Sequence, residues 1–209
     1  MALALVTAIV LRRPSMLPWK RRLATWMGAI AGAGIGAKLP FLLAGDVLFG
    51  DGKTLLSGFA GGYLGVEIAK LAAGIREKTG DAFAVPLAAS VAVGRWGCFF
   101  NGCCGAPWAP IAESAFHAGM AVMLWTVEGV ESLRWQLLKL YLICYGVFRF
   151  GMEFARSEPR IAWGLTPYHF GAAGLTLMMT VLWIVDDRRK ARVATPPGGV
   201  STRTTSCES

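Results

Sequence analysis

Six stretches of the chain hold almost only apolar and small residues over roughly the length of a bilayer crossing, and polar clusters separate them. They run Leu23 to Ala44, Thr54 to Ile75, Ala82 to Phe100, Ala115 to Val130, Gln136 to Ala155 and Gly164 to Val185. A hydrocarbon core about 30 Å thick takes roughly 20 residues at about 1.5 Å each, so the stretches predict membrane-spanning helices. The opening run Met1 to Leu11 is apolar but would reach only about 16 Å as a helix. Its basic residues, Arg12 and Arg13, follow it rather than precede it, the reverse of a signal peptide's charge order. The run reads as a shortened span or an interfacial segment. The pattern therefore predicts an all-α, polytopic membrane helical bundle of about six transmembrane helices with a short apolar N-terminal segment. Residues 1–190 make one transmembrane domain, and residues 191–209, with Pro196, Pro197, Gly198 and Gly199 among many Ser and Thr, read as a disordered cytoplasmic tail.

Composition agrees with that pattern. Hydrophobic residues make up 55% and charged residues 16% of the 209, with mean hydropathy +0.50. A soluble domain is about 25% charged, because polar side chains must cover its surface. The numbers exclude a soluble enzyme and a disordered chain alike. The net charge of +8 raises nucleic acid as a partner, yet the basic residues fall in short clusters between spans, and nucleic-acid binding is set aside. Arg12, Arg13, Lys20, Arg21 and Arg22 precede the first full span, Arg76 and Lys78 follow the second, and Arg188, Arg189, Lys190 and Arg192 follow the sixth. Retention of basic loops in the cytoplasm puts all three clusters inside, with both ends of the six-span core, and turns the uncharged loop from Asn101 to Pro110 outward.

Small residues recur every fourth position, at Gly28, Gly32 and Gly36 in the first span and at Gly61 and Gly65 in the second. Spacing of this kind lets two helices pack closely. Ionisable groups inside spans cost about 2.5 to 3.5 kcal/mol each and so mark a site or a mutual pair. Lys38, Glu67, Arg95, Arg149 and Glu153 qualify. In the topology above, Lys38, Arg95 and Arg149 converge on the outer half of the membrane. Arg149, Glu153 and Arg156 lie on one helical stripe. Either the Arg149 guanidinium presents its fork to a phosphate or carboxylate, or it and Glu153 neutralise each other and pin helices together. Glu67 and Lys70 read as a structural pair. Arg95 has no acidic neighbour on its own helix, so it either binds a lipid phosphate or snorkels to the interface.

Cys98, Cys103 and Cys104 lack the spacing and the histidines of a metal site, so neither a metal nor another cofactor is expected. A disulfide or plain packing remains for them. His117 and His169 are the two histidines. His169, at the outer end of the last span, reads as a base or as a hydrogen-bonded interface residue.

Gly94-Arg95-Trp96-Gly97-Cys98-Phe99-Phe100-Asn101-Gly102 resembles the G-R-x-G-N-F-x-N-G signature of the bacterial phosphatidylglycerol:prolipoprotein diacylglyceryl transferase family. Gly36-Ala37-Lys38-Leu39, Phe59-Ala60-Gly61-Gly62, Pro110-Ile111-Ala112-Glu113, the Tyr145 to Arg156 block and Gly164-Leu165-Thr166 resemble further family blocks in the same order. The resemblance implies an enzyme of the bacterial plasma membrane that moves diacylglycerol from phosphatidylglycerol, or a related anionic phospholipid, to the lipobox cysteine of a prolipoprotein. It implies catalytic roles for Arg95, Arg149, Glu153 and His169, and substrate binding by Lys38, Gly61, Gly62, Asn101 and Glu113. The family's histidine before the paired glycines is Ala60 here, and the first asparagine of the signature is Cys98. A non-catalytic lipid-binding or assembly protein of the same descent is the alternative. A transporter is a third reading, weakened because the sequence shows no evident internal repeat.

Overall fold

The computed structural model describes residues 18–43, 45, 54–102, 106–156 and 163–194. Among the described residues six α-helices run in chain order: α1 Trp19–Leu43, α2 Leu55–Ala72, α3 Asp81–Phe100, α4 Trp108–Val127, α5 Leu137–Glu153 and α6 Pro167–Ala194. A single 3₁₀ turn, Glu131–Leu133, leads into α5, and the described residues contain no strand. Length and composition mark α1, α3 and the Pro167–Ala191 part of α6 as able to cross a membrane.

Side-chain exposure shows what solvent the bundle is built for. Ile35, Leu64, Ile68, Val122, Val147 and Leu177 all point outward, while Glu113, Arg149, Glu153 and His169 are buried. A water-soluble bundle distributes these groups the other way round. The chain is a helical membrane protein with its ionisable groups turned to the inside.

The helices pair in sequence as hairpins. α1 and α2 meet through the predicted glycines: a Cβ on Gly28 would stand 2.5 Å from the Gly65 carbonyl oxygen, and one on Gly61 2.7 Å from the Gly36 Cα. Only hydrogen at those positions lets the backbones come so near. Ser114 ties α4 to α3 by donating to the Ala92 carbonyl at 2.9 Å. Phe59, Leu124, Tyr141, Leu142, Tyr145 and Met179 fill the common core.

One end of the bundle is closed by charge. Asp81, at the start of α3, accepts from the backbone N–H of Trp135, and of Leu137 at 3.0 Å. A carboxylate on the free N–H groups of a helix start is favourable by both hydrogen bonding and helix dipole. Beside it the buried Lys139 ammonium meets Asp186 at 2.6 Å, and Lys78 reaches the same carboxylate at 2.8 Å.

Two boundaries differ from the sequence reading. α4 starts at Trp108 rather than near Ala115, because Pro110 sits in the first turn, where its missing N–H has no intrahelical acceptor to lose. α6 continues to Ala194, so residues 191–194 of the expected tail are helical. The rest of that tail, the Met1 to Leu11 segment, Cys103 and Cys104 lie outside the described residues.

Candidate functional site

At the end opposite Asp81, four helices turn charged side chains toward one another. Arg95 comes from the last turns of α3, Glu113 from the second turn of α4, Arg149 and Glu153 from the end of α5, and His169 from the start of α6. Arg95 Nη2 pairs with Glu113 Oε2, and Arg149 Nη1 lies 3.5 Å from Glu113 Oε1. Arg149 Nη2 also meets Glu153 Oε2 at 3.1 Å. The result is an alternating row, Arg95, Glu113, Arg149, Glu153, in which one carboxylate serves two guanidiniums. The row carries two positive and two negative charges.

Both carboxylates are 1% exposed and Arg149 6%. Buried ion pairs add little to stability when complete, and removing one member is costly because it strands a charge. Arg95 is less enclosed, with its side chain 17% exposed. Its Nε, although buried, has no hydrogen-bond partner among the described residues. Its Nη1 lies 3.8 Å from Cys98 Sγ, which puts a thiol where the family signature has asparagine. The Tyr168 ring covers Arg149 at 5.5 Å, a cation over an aromatic face.

Beyond Glu153 the network turns through a residue that the sequence reading did not single out as a site. Thr166 Oγ1 donates to Glu153 Oε1 at 3.0 Å, and Thr166 N–H donates to His169 Nδ1 at 3.1 Å. A ring nitrogen that accepts an N–H carries no proton, so in the neutral ring the proton is on Nε2. Nε2 is buried without a partner among the described residues, and Phe150 and Phe154 stand edge-on to the ring. In that tautomer Nδ1 is occupied by Thr166 and Nε2 carries the proton.

The remaining expected residues lie outside this row. Asn101 is exposed and closes the end of α3, its Nδ2 donating to Gly97 O at 2.7 Å. Lys38 is half-buried on α1, beside Ala37, whose carbonyl accepts from Thr54 N–H at 3.0 Å. Gly61 faces α1, so the space a substrate would need there is filled by a helix. Gly62 lies near Ala29 and Ala33 and lines a cavity between helices. Ala60 is half-buried against the core. His117, one turn below Glu113 on α4, is fully buried, with Nδ1 2.8 Å from the Tyr141 hydroxyl. Its i,i+4 spacing from Glu113 was the signal that it faces the same interior. Among the described residues, His, Cys, Asp and Glu form no group of three able to hold a metal.

The family model for prolipoprotein diacylglyceryl transferase matches residues 2–185, and the chain belongs to that family. No curated protein and no solved structure matches it.

Proposed function

We propose that the chain transfers a diacylglyceryl group from phosphatidylglycerol to the lipobox cysteine thiol of a prolipoprotein in the outer half of the bacterial plasma membrane, with Arg95 and Arg149 holding the donor's phosphate. Membership of a transferase family supports the reaction class. The observation that carries the site is the sharing of Glu113 by Arg95 and Arg149, which brings two guanidiniums from different helices to one point. Glu113 acts as their resting counter-ion, and an arriving phosphate takes over part of that pairing.

In the reaction the substrate thiolate attacks the glycerol carbon bearing the phosphate ester. A carbon–sulfur bond forms, the carbon–oxygen bond breaks, and glycerol phosphate departs with the electron pair. Charge grows on the departing oxygens, and fixed cations in a poorly solvated site stabilise that charge more than they stabilise the bound ester. The thiol proton leaves to water at the outer interface. Glu153, Thr166 and His169 are positioning residues, holding Arg149 in register.

The experiment is complementation. The chain is expressed in bacteria depleted of their own diacylglyceryl transferase, and prolipoprotein is examined by mass spectrometry for the thioether-linked lipid. Lipidation that vanishes with Arg95→Ala supports the proposal. Well-folded protein without lipidation sinks it in favour of a lipid-binding role, the reading that Ala60 in place of the family histidine favours. Ala60→His then distinguishes a degenerate enzyme, which regains turnover, from a binding protein.

A further inference from the structure

A cavity of about 210 Å³ opens between the α1–α2 hairpin and helices α3 and α5, apart from the charged row. Its walls are mainly apolar: Trp26 and Ile30 of α1, Gly62 of α2, Leu87 and Ser90 of α3, and Leu142 of α5. Two features connect it to the site. Phe59 lines the cavity and on its other side packs edge-on to Tyr145 and Tyr141, with ring centroids 5.0 and 5.7 Å away. Tyr145 is on α5 one turn before Arg149, and beside Tyr141 lies His117, one turn from Glu113. The cavity therefore begins directly below the aromatic floor of the charged row.

Depth is the second feature. Ser90, Leu87 and Phe83 precede Arg95 by five, eight and twelve residues, so the α3 wall runs from about 7 to 18 Å below the guanidinium-bearing turn, and Gly80 and Thr79 continue the lining toward the Asp81 end. Leu142 and Leu138 precede Arg149 by seven and eleven residues, which puts the α5 wall about 10 to 16 Å down. One leaflet's hydrocarbon is about 15 Å deep. A lipid whose phosphate rests on the arginines runs its chains along the upper part of that wall, and only a long chain reaches the deeper part.

We propose that this cavity holds one acyl chain of the glycerophospholipid whose phosphate sits at Arg95 and Arg149, and that its depth sets the chain length the protein accepts. The inference rests on the lipid-donor reading above but adds a site to it. Ile30, on the α1 wall, is 61% exposed, so that wall is thin and borders the surrounding lipid directly. Ser90 is the natural place to probe, because its hydroxyl donates within its own helix, to Leu87 O at 2.9 Å, so its replacement breaks no hydrogen bond between helices among the described residues.

The test uses the full chain, purified and delipidated in detergent, with palmitoyl and octanoyl phosphatidylglycerol as probes. Alkylation of the thiol introduced by Ser90→Cys with a lipid-soluble maleimide is followed by peptide mass. Palmitoyl lipid is expected to slow labelling roughly tenfold and octanoyl lipid to leave it nearly unchanged, since only the longer chain gains its burial in the cavity. In direct binding, Ser90→Phe is expected to shift preference toward the octanoyl lipid by about the same factor, while Arg95→Lys weakens both lipids equally. Equal labelling with and without palmitoyl lipid overturns the proposal, as does blocked labelling in delipidated protein, which would mean that another part of the chain fills the space. Labelling needs no turnover. Protection by palmitoyl lipid in a protein that fails complementation therefore leaves the acyl site standing and removes only the transfer reaction.

Discussion

Arg95 and Arg149 stand on different helices and share a single carboxylate, Glu113, which is 1% exposed. Without Glu113, two guanidiniums face each other in a poorly hydrated interior, and the bundle must swell or hydrate to separate them. Glu113→Gln is expected to lower stability by about 3 kcal/mol, the cost of stranding a buried charge. Thermal unfolding in detergent reads this directly. An unchanged midpoint would show that the arginines have other counter-ions at hand.

Arg95→Lys keeps the charge and loses the fork. A point charge cannot hold Glu113 and a phosphate oxygen in fixed geometry at once. Lipidation in the complementation assay is expected to fall on the order of a hundredfold, as when one stabilising donor of a leaving oxygen is removed, with little change in stability. Full activity in Arg95→Lys would rule out a bidentate grip.

Thr166 links Glu153 at the end of α5 to His169 at the start of α6, giving its hydroxyl to the one and its N–H to the other. Thr166→Val keeps the shape and leaves Glu153 Oε1 without a donor, at a cost of about 1 to 3 kcal/mol. Thr166→Ser restores the hydroxyl and is expected to recover most of both stability and activity. If valine and serine behave alike, the link is not what holds Glu153.

Where the sequence was readable, the reason was local. Lys38, Arg95, Arg149 and Glu153 stood out because charge inside an apolar run is costly wherever the helix packs. The Arg149–Glu153 contact followed from i,i+4 spacing alone. The Arg95–Glu113 pair did not, because it depends on the rotational phase with which α3 packs against α4 across an 18-residue separation. Glu113 was named through the family resemblance alone, because it stands in a stretch with Pro107 and Pro110 that looks like a loop until the first-turn tolerance for proline is applied. Gly61 is ambiguous for a related reason: a glycine that admits a ligand and one that admits a helix look the same in sequence.

The other end of the bundle offers a cleaner separation of charge from shape. Lys139 is 6% exposed, and its ammonium is held by Asp186 at 2.6 Å and by Gln136 Oε1 at 2.7 Å. Asp186→Asn should cost about 2 to 3 kcal/mol, whereas the double change Lys139→Met with Asp186→Leu should come close to neutral, because it removes the desolvation cost together with the attraction. Unfolding midpoints of the three variants decide the point. A double variant as weak as Asp186→Asn would show that Lys78, which pairs with the same carboxylate, is the partner that matters.

Gly61 tests whether the glycines of the α1–α2 contact serve packing or substrate. A methyl on Gly61 meets the α1 backbone at Gly36, whereas one on Gly34 meets nothing within 4 Å. Gly34→Ala should therefore be neutral or slightly stabilising, by up to about 1 kcal/mol from helix propensity. Gly61→Ala must push the helices apart and should cost about 1 to 3 kcal/mol as an overpacked contact. Activity should follow stability in both variants. Gly61→Ala with wild-type unfolding and no lipidation would reverse the assignment, because only a residue touching the substrate loses function without loosening the fold.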